Sequence, residues 1–223
     1  LSAPHDRLAK AQEWIFNHVL QKLSVENSAH GFVKGRSTVT NAKEHVGQGI
    51  VINLDLSDFF PTIGFGRVRG LFESLGYSPA VATIFALLCT EPPRRKVTYD
   101  GTTYWVAVGD RGLPQGACTS PAISNLVSRK LDRRLVGMTR KMGWTYTRYA
   151  DDLTFSAELQ ELEGDKKGRK DLGMLLARVR HIVTEEGFAI NPKKGRIQHA
   201  GGRQNVTGIV VNDKLSMPRE EVR

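Results

Sequence analysis

Two short alternating runs with a charged pair between them dominate the pattern of apolar and polar positions. Trp144-Thr-Tyr-Thr-Arg148 and Leu153-Thr-Phe-Ser156 alternate, which predicts two strands joined at the tip Tyr149-Ala150-Asp151-Asp152. Ile50–Leu54 is a continuous apolar run and predicts a buried strand that ends at Asp55. Val97–Val106 predicts a hairpin turning at Asp100-Gly101, and Asn205–Val211 a further strand. Helical spacing predicts Arg7–Leu23, with Leu8, Ala11, Ile15, Val19 and Leu23 on one face, and a second helix from Ser37 to about His45. Val68, Leu71, Phe72 and Leu75 mark a short helix closed by Gly76, and Ser78-Pro79 opens another through Leu88. Pro121 opens a long helix to about Met142, Glu161–Lys170 reads as a charged loop, and Asp171–Glu186 is helical. Gly187 ends that helix, and a strand is expected to follow.

This order of elements predicts an α+β fold, a small and mostly antiparallel sheet with helices packed on one face. Composition is ordinary for a globular chain of 223 residues, 40% apolar and 25% charged, with no apolar stretch of membrane-spanning length. Cys89 and Cys118 have no paired spacing, which points to reduced thiols and a cytoplasmic setting rather than a disulfide or zinc site. The net charge of +9 changes the picture more, because it favours a polyanionic partner. The cations cluster on the helix bearing Arg129, Lys130, Arg133, Arg134, Arg140 and Lys141, and on a turn with Lys193, Lys194 and Arg196. A charged helix is usually only a wet face, so the cations gain weight from the acids between them.

Asp151 and Asp152 at a hairpin tip repel one another and gain nothing from burial, so a divalent cation is the natural compensation. Asp55 supplies a third carboxylate at a strand end. A strand ending in Asp beside a hairpin carrying Asp-Asp is an arrangement that holds two metal ions for in-line phosphoryl transfer.

Four segments, in order, resemble the motifs of reverse transcriptases. Asn53-Leu-Asp-Leu-Ser-Asp-Phe-Phe-Pro61 is similar to motif A and Leu113-Pro-Gln-Gly-Ala-Cys-Thr-Ser-Pro-Ala122 to motif B. Tyr149–Asp152 is similar to motif C and Phe188-Ala-Ile-Asn-Pro-Lys-Lys194 to motif D. The resemblance implies a right-hand polymerase palm over 51–215 with a fingers insertion at about 66–110, preceded by partial fingers over 1–50. It implies two Mg²⁺ ions, with Mn²⁺ as a substitute, held by Asp55, Asp151, Asp152 and the Leu56 carbonyl. Phe60 would exclude the 2′-hydroxyl of a ribonucleotide, and Gln115 and Gly116 would line the nucleotide pocket. Ala150 leaves space near the primer terminus, and Lys194 (or Lys193) would protonate the departing pyrophosphate. Arg36 is a candidate phosphate contact.

Asn41-Ala-Lys-Glu-His45 and Val206-Thr-Gly208 resemble signatures of bacterial retron reverse transcriptases. That resemblance implies copying of a structured non-coding RNA into single-stranded DNA from deoxynucleoside triphosphates. Priming would come from a guanosine 2′-hydroxyl of the same RNA. Asn41, His45, Val206, Thr207 and Gly208 would serve RNA recognition, and an effector protein is an expected partner in a bacterial cytoplasm, away from any membrane. A group II intron or other bacterial defence reverse transcriptase is the alternative within the same chemistry. A non-catalytic RNA-binding module and a metal-dependent nuclease are the alternatives outside it. The chain opens on Leu1 rather than Met and reads as a fragment: Leu1–Pro4 resembles the tail of a basic fingers hairpin, and 216–223 the start of a missing thumb. The bare chain is therefore expected to extend primers weakly.

Overall fold

The computed structural model describes residues 4–158 and 165–217. In chain order its elements are α1 (Asp6–Ile15), a π-helical turn (Phe16–Leu20), α2 (Thr38–Lys43), β1 (Ile50–Asp55), α3 (Phe59–Thr62), α4 (Phe65–Ser74) and α5 (Pro79–Cys89). There follow β2 (Arg94–Tyr99), β3 (Thr102–Ala107), α6 (Ser120–Val127), α7 (Arg129–Lys141), β4 (Thr145–Tyr149) and β5 (Asp152–Ala157). The last are α8 (Asp165–Glu185), β6 (Arg196–His199), β7 (Asn205–Val206) and β8 (Ile209–Val210). The chain forms two compact units, Leu1–Ser24 with Asp58–Val127, and Val25–Ser57 with Ser128–Arg223.

That sheet has the strand order β4-β5-β1-β6 and is antiparallel throughout. Residues directly opposite in an antiparallel pair share a face, so the register sorts the side chains. Ile50, Ile52 and Leu54 stand opposite Ala157, Phe155 and Leu153, and Phe155 stands opposite Tyr146. This apolar face meets α7, whose Asp132 accepts a hydrogen bond from the Tyr146 hydroxyl at 2.9 Å. The other face is polar: Val51, Asn53 and Asp55 stand opposite Ser156, Thr154 and Asp152. It is also covered, since α2 and the β7–β8 hairpin bring Ala42, Val206 and Val211 against Val51. The apolar face carries α7 as the sequence predicted, and the short α2 and the hairpin cover the other. Short elements with few apolar residues escape a periodicity argument.

The ring of His45, just beyond α2, is buried on the polar face between Ser156 Oγ and Thr147 Oγ1, each at 2.7 Å. Burial, with a smaller push from His30, lowers its pKa from 6.5 to about 3. The unfolded chain therefore binds a proton that the native state refuses, so stability is complete above about pH 6.5 and falls as the pH drops toward 3. We expect acidification from about pH 7 to about pH 5 to remove about 2 kcal/mol through this ring. Urea unfolding at both pH values should show that loss in the wild type and less of it in His45→Gln. An equal loss in both would refute the assignment.

The other unit holds α1, α3–α6 and the β2–β3 hairpin. Phe72, Tyr77 and Phe85 form an edge-on aromatic cluster with centroids 5.1–6.3 Å apart. Ser78 caps α5 by accepting from the Val81 N–H, and Asp100-Gly101 turns the hairpin with φ of 46° and 71°. Cys89 and Cys118 are free thiols, and burial pushes Cys89 up to about 12.

Several elements depart from the expected ones. The helix from Arg7 loses α-geometry after Ile15, and the π turn buries Val19 and Leu20. The helix expected from Pro121 to Met142 is two, interrupted at Ser128. Helix occupies 165–170, where a loop was expected, and the remainder of that loop, 161–164, lies outside the described residues. After Gly187 there is only an isolated bridge between Leu56 and Ile190, and the regular strand begins later, at Arg196. Phe59, Phe60 and Pro61 lie on a helical turn that the sequence did not announce, a position Pro tolerates within the first turn of a helix. Leu1 to Ala3 and residues 218–223, where the partial fingers and the thumb were expected to join, also lie outside the described residues.

Candidate active site

The polar face of the sheet ends in carboxylates. Asp55 closes β1, Asp152 opens β5, and the two are register partners. Asp151 precedes them at the tip, where Ala150 takes a left-handed conformation with φ of 57°. The Leu56 N–H donates to the Asp151 carbonyl at 3.0 Å, which ties the tip to the end of β1. Leu56 sits opposite Ile190, and the bonds flanking this pair join Ser57 N–H to the Ala189 carbonyl and Asn191 N–H to the Asp55 carbonyl. The Leu56 carbonyl thus takes no part in that pairing.

Asp55, Asp151 and Asp152 line a cavity of about 600 Å³ together with Lys193, Lys194 and Arg196. Burial first, then the neighbouring charges of Asp151 and Asp55, push the Asp152 carboxyl up to about 6, against the pull of Lys194. Asp151 is raised as well, by burial and then by Asp55, although a backbone hydrogen bond and Lys194 oppose the shift. Burial and mutual repulsion both disfavour the charged forms of Asp151 and Asp152 here. Lys194 Nζ donates to Asp55 Oδ1 at 2.8 Å and Asn191 Nδ2 to Asp55 Oδ2 at 3.3 Å. That hydrogen bond and charge raise the lysine pKa. Among the described residues no three acidic, imidazole or thiol groups converge on one point as a preformed metal cage. The donors are nonetheless hard carboxylate oxygens, the type that suits Mg²⁺, and the raised pKa values of Asp151 and Asp152 mark a place where a cation would be favoured.

The other expected residues fall in different places. Arg36 donates to the carbonyls of Glu26, Asn27 and Ala29, so its guanidinium is engaged in holding that loop rather than a phosphate. Asn41, His45 and Val206 are buried. Thr207 and Gly208 form the two-residue turn between β7 and β8, with φ of 47° and 85°, and line the cavity. Phe60, Gln115 and Gly116 belong to the other unit. There Phe60 is half-buried with its ring 5.5 Å from that of the buried Phe59, Gln115 borders a second cavity of about 610 Å³, and Gly116 has φ of 124°. Of the two basic clusters, the turn with Lys193, Lys194 and Arg196 faces the cavity. The cations of α7 are largely matched internally, Arg129 and Arg133 by Glu26, and Lys130 and Arg134 by Glu185 and Glu186.

Residues 6–215 match the family described as reverse transcriptase (RNA-dependent DNA polymerase). The chain belongs to the reverse transcriptase family. It is similar to the retron Mx162 reverse transcriptase of Myxococcus xanthus, 43% identical over 230 residues that cover 100% of this chain and 47% of that protein. It is 48% identical to the retron Mx65 reverse transcriptase of the same organism, covering 99% and 50%. Identity to the retron Ec86 reverse transcriptase of Escherichia coli is 35%, covering 99% and 61%. The chain thus spans about half the length of the curated relatives it matches. Telomerase from Candida albicans, solved in complex with a fragment of telomeric RNA, shares the fold with a TM-score of 0.53 at 9% identity, covering 95% of this chain and 38% of that one. Reverse transcriptases generally work with divalent metal ions. Among the described residues no helix is long and apolar enough to cross a membrane.

Sequence reasoning did not single out two polar residues beside the carboxylates, Asn191, which donates to Asp55, and Gln198. Gln198 Nε2 donates to Asn53 Oδ1 at 2.6 Å and to the Asn205 carbonyl at 3.0 Å, which links β7 to the strand that ends in Asp55. One signal was available for Asn53: it lies two positions before Asp55 on a strand and must share its face.

Proposed function

We propose that this chain carries the polymerase centre of a retron-type reverse transcriptase that copies a structured RNA into single-stranded DNA. The observation that carries the reading is the pairing of Asp55 with Asp152 at the end of a polar sheet face, beside Asp151 and the cavity's lysines. Asp55, Asp151, Asp152 and the Leu56 carbonyl would hold two Mg²⁺ ions, with Mn²⁺ as a substitute. When bound, such ions lower the pKa of a primer hydroxyl and neutralise the leaving pyrophosphate. Lys194, kept protonated by Asp55, supplies a fixed positive charge beside those phosphates. Thr207 and Gly208 face the nucleic acid, while Val206 packs their turn against Ala42 and Val51, and Asn41 and His45 are buried. Ala150 leaves room for the primer end, and Gln115 and Gly116 approach the nucleotide. An effector protein and a bacterial cytoplasm complete the reading, which draws on the retron relatives at 35–48% identity.

Nucleic acid that co-purifies with the full-length protein tests this. DNA joined to RNA through a 2′-branch, lost in the Asp151→Asn, Asp152→Asn double variant, is expected. Linear DNA copies of assorted RNAs would remove the retron assignment, and RNA alone in both preparations would remove the polymerase.

Phe60 would act as the barrier to ribonucleotides. Replacing Phe60 by Ala should then raise ribonucleotide use relative to deoxynucleotide use by about 10- to 100-fold in kcat/KM. An unchanged ratio would return Phe60 to a packing role.

A further inference from the structure

The catalytic tip is gripped from two directions. On one side the segment Ser28–His30 runs along the outer edge of β4. The Arg148 N–H donates to the Ser28 carbonyl and the His30 N–H to the Arg148 carbonyl, both at 2.7 Å, and Ala29 forms a parallel bridge with Arg148. Gly31, the next residue, lies against the tip itself. A β-carbon there would fall 2.5 Å from the Ala150 nitrogen and 3.1 Å from the Tyr149 carbonyl carbon. Those are backbone atoms and cannot swing aside. Arg36 fixes the same segment from behind through the Glu26, Asn27 and Ala29 carbonyls.

On the other side stands the Arg148 side chain. It is fully buried, with Nε and Nη2 on the Asp132 carboxylate at 2.8 and 2.7 Å and Nη1 on the Ala150 carbonyl at 3.1 Å. The planar fork of arginine serves the carboxylate and the carbonyl together, which a single ammonium cannot do. Ala150 carries the left-handed turn that aims Asp151 and Asp152, so both grips converge on the residue whose backbone sets their direction.

We propose that Gly31 and Arg148 are positioning residues for the Tyr149–Asp152 tip, Gly31 through backbone contact and Arg148 by tying the Ala150 carbonyl to Asp132. The kinetic part of its test rests on the polymerase reading, and the structural part does not.

The test is Gly31→Ala in the full chain. The Leu56 N–H, bonded to the Asp151 carbonyl, reports whether the tip stays docked. Its hydrogen exchange, followed by NMR, should rise at least about tenfold while amides deeper in β1 keep theirs. In single-nucleotide incorporation on an annealed RNA template, kcat should fall about 10- to 100-fold with little change in KM, because a small misplacement of reacting groups is enough. Wild-type exchange at Leu56 together with a wild-type kcat overturns the proposal, as does a lower melting temperature without faster Leu56 exchange. Faster exchange in a protein whose wild type incorporates no nucleotide leaves the grip standing and removes the polymerase reading. Should Gly31→Ala fail to fold, Arg148→Lys is read by the same exchange, and wild-type protection of Leu56 there also overturns it.

Discussion

Asp151→Asn is expected to lower kcat for nucleotide incorporation by at least about 10³-fold, because it removes a ligand charge worth several kcal/mol to the transition state. The substitution is isosteric and should leave the fold intact. Stability should in fact rise, because burial and the neighbouring acids make the charged forms of Asp151 and Asp152 unfavourable. The sign follows from linkage: a carboxyl whose folded pKa lies above its unfolded value weakens the fold at neutral pH, and an amide relieves that. The corresponding change at Asp152, whose pKa is raised to about 6, should add on the order of 1 kcal/mol after allowance for solvent screening. Single-turnover kinetics and urea unfolding on the same preparations check both halves. An Asp151→Asn variant within tenfold of wild-type rate would sink the catalytic assignment. One that is slow but also less stable would place the residue in the architecture instead.

Asp132→Ala should produce the largest loss of stability, about 3–5 kcal/mol, since it strands a guanidinium that has no exposure to water. Burial by itself pulls the Arg148 pKa down, and the Asp132 carboxylate overcomes this and holds it above its ordinary value. The Tyr146 hydroxyl loses the same acceptor and adds to the damage. A domain stable by about 5–15 kcal/mol would keep only a fraction of its reserve. Chemical denaturation measures the loss directly. A value below about 1 kcal/mol would mean that water or another carboxylate reaches Arg148, and that the pair is not the closed unit described above.

The acidic hairpin was legible because alternation over Trp144–Arg148 and Leu153–Ser156 is a signal local to each strand. The capping of α5 by Ser78 and the turn at Asp100-Gly101 were legible for the same reason: each depends on a few adjacent residues. What stayed hidden depends on partners far along the chain. Arg148 falls by alternation on the face of Trp144 and Tyr146, but nothing near it in sequence explains a charge there until Asp132 of α7 is placed beneath it. Arg36 reads as a free cation until three carbonyls of the 26–29 loop close on it. The polar β6, Arg196–His199, has no periodicity to announce it and forms by pairing with β1. Gly31 carries no signal at all, because its importance is the space it leaves beside Ala150.

The division of the sheet into an apolar and a polar face has a consequence for how the centre assembles. Shifting β5 by one residue along β1 would put Leu153 in the cavity and turn the Asp152 carboxylate into the core against α7. Such a sheet would be too poorly packed to persist. The interval that aligns the acids is therefore checked by the burial of Ile52, Leu54, Leu153 and Phe155, residues with no part in the chemistry. Molecules that fold at all carry their carboxylates in alignment, so a preparation of this protein should contain few that are folded yet miswired.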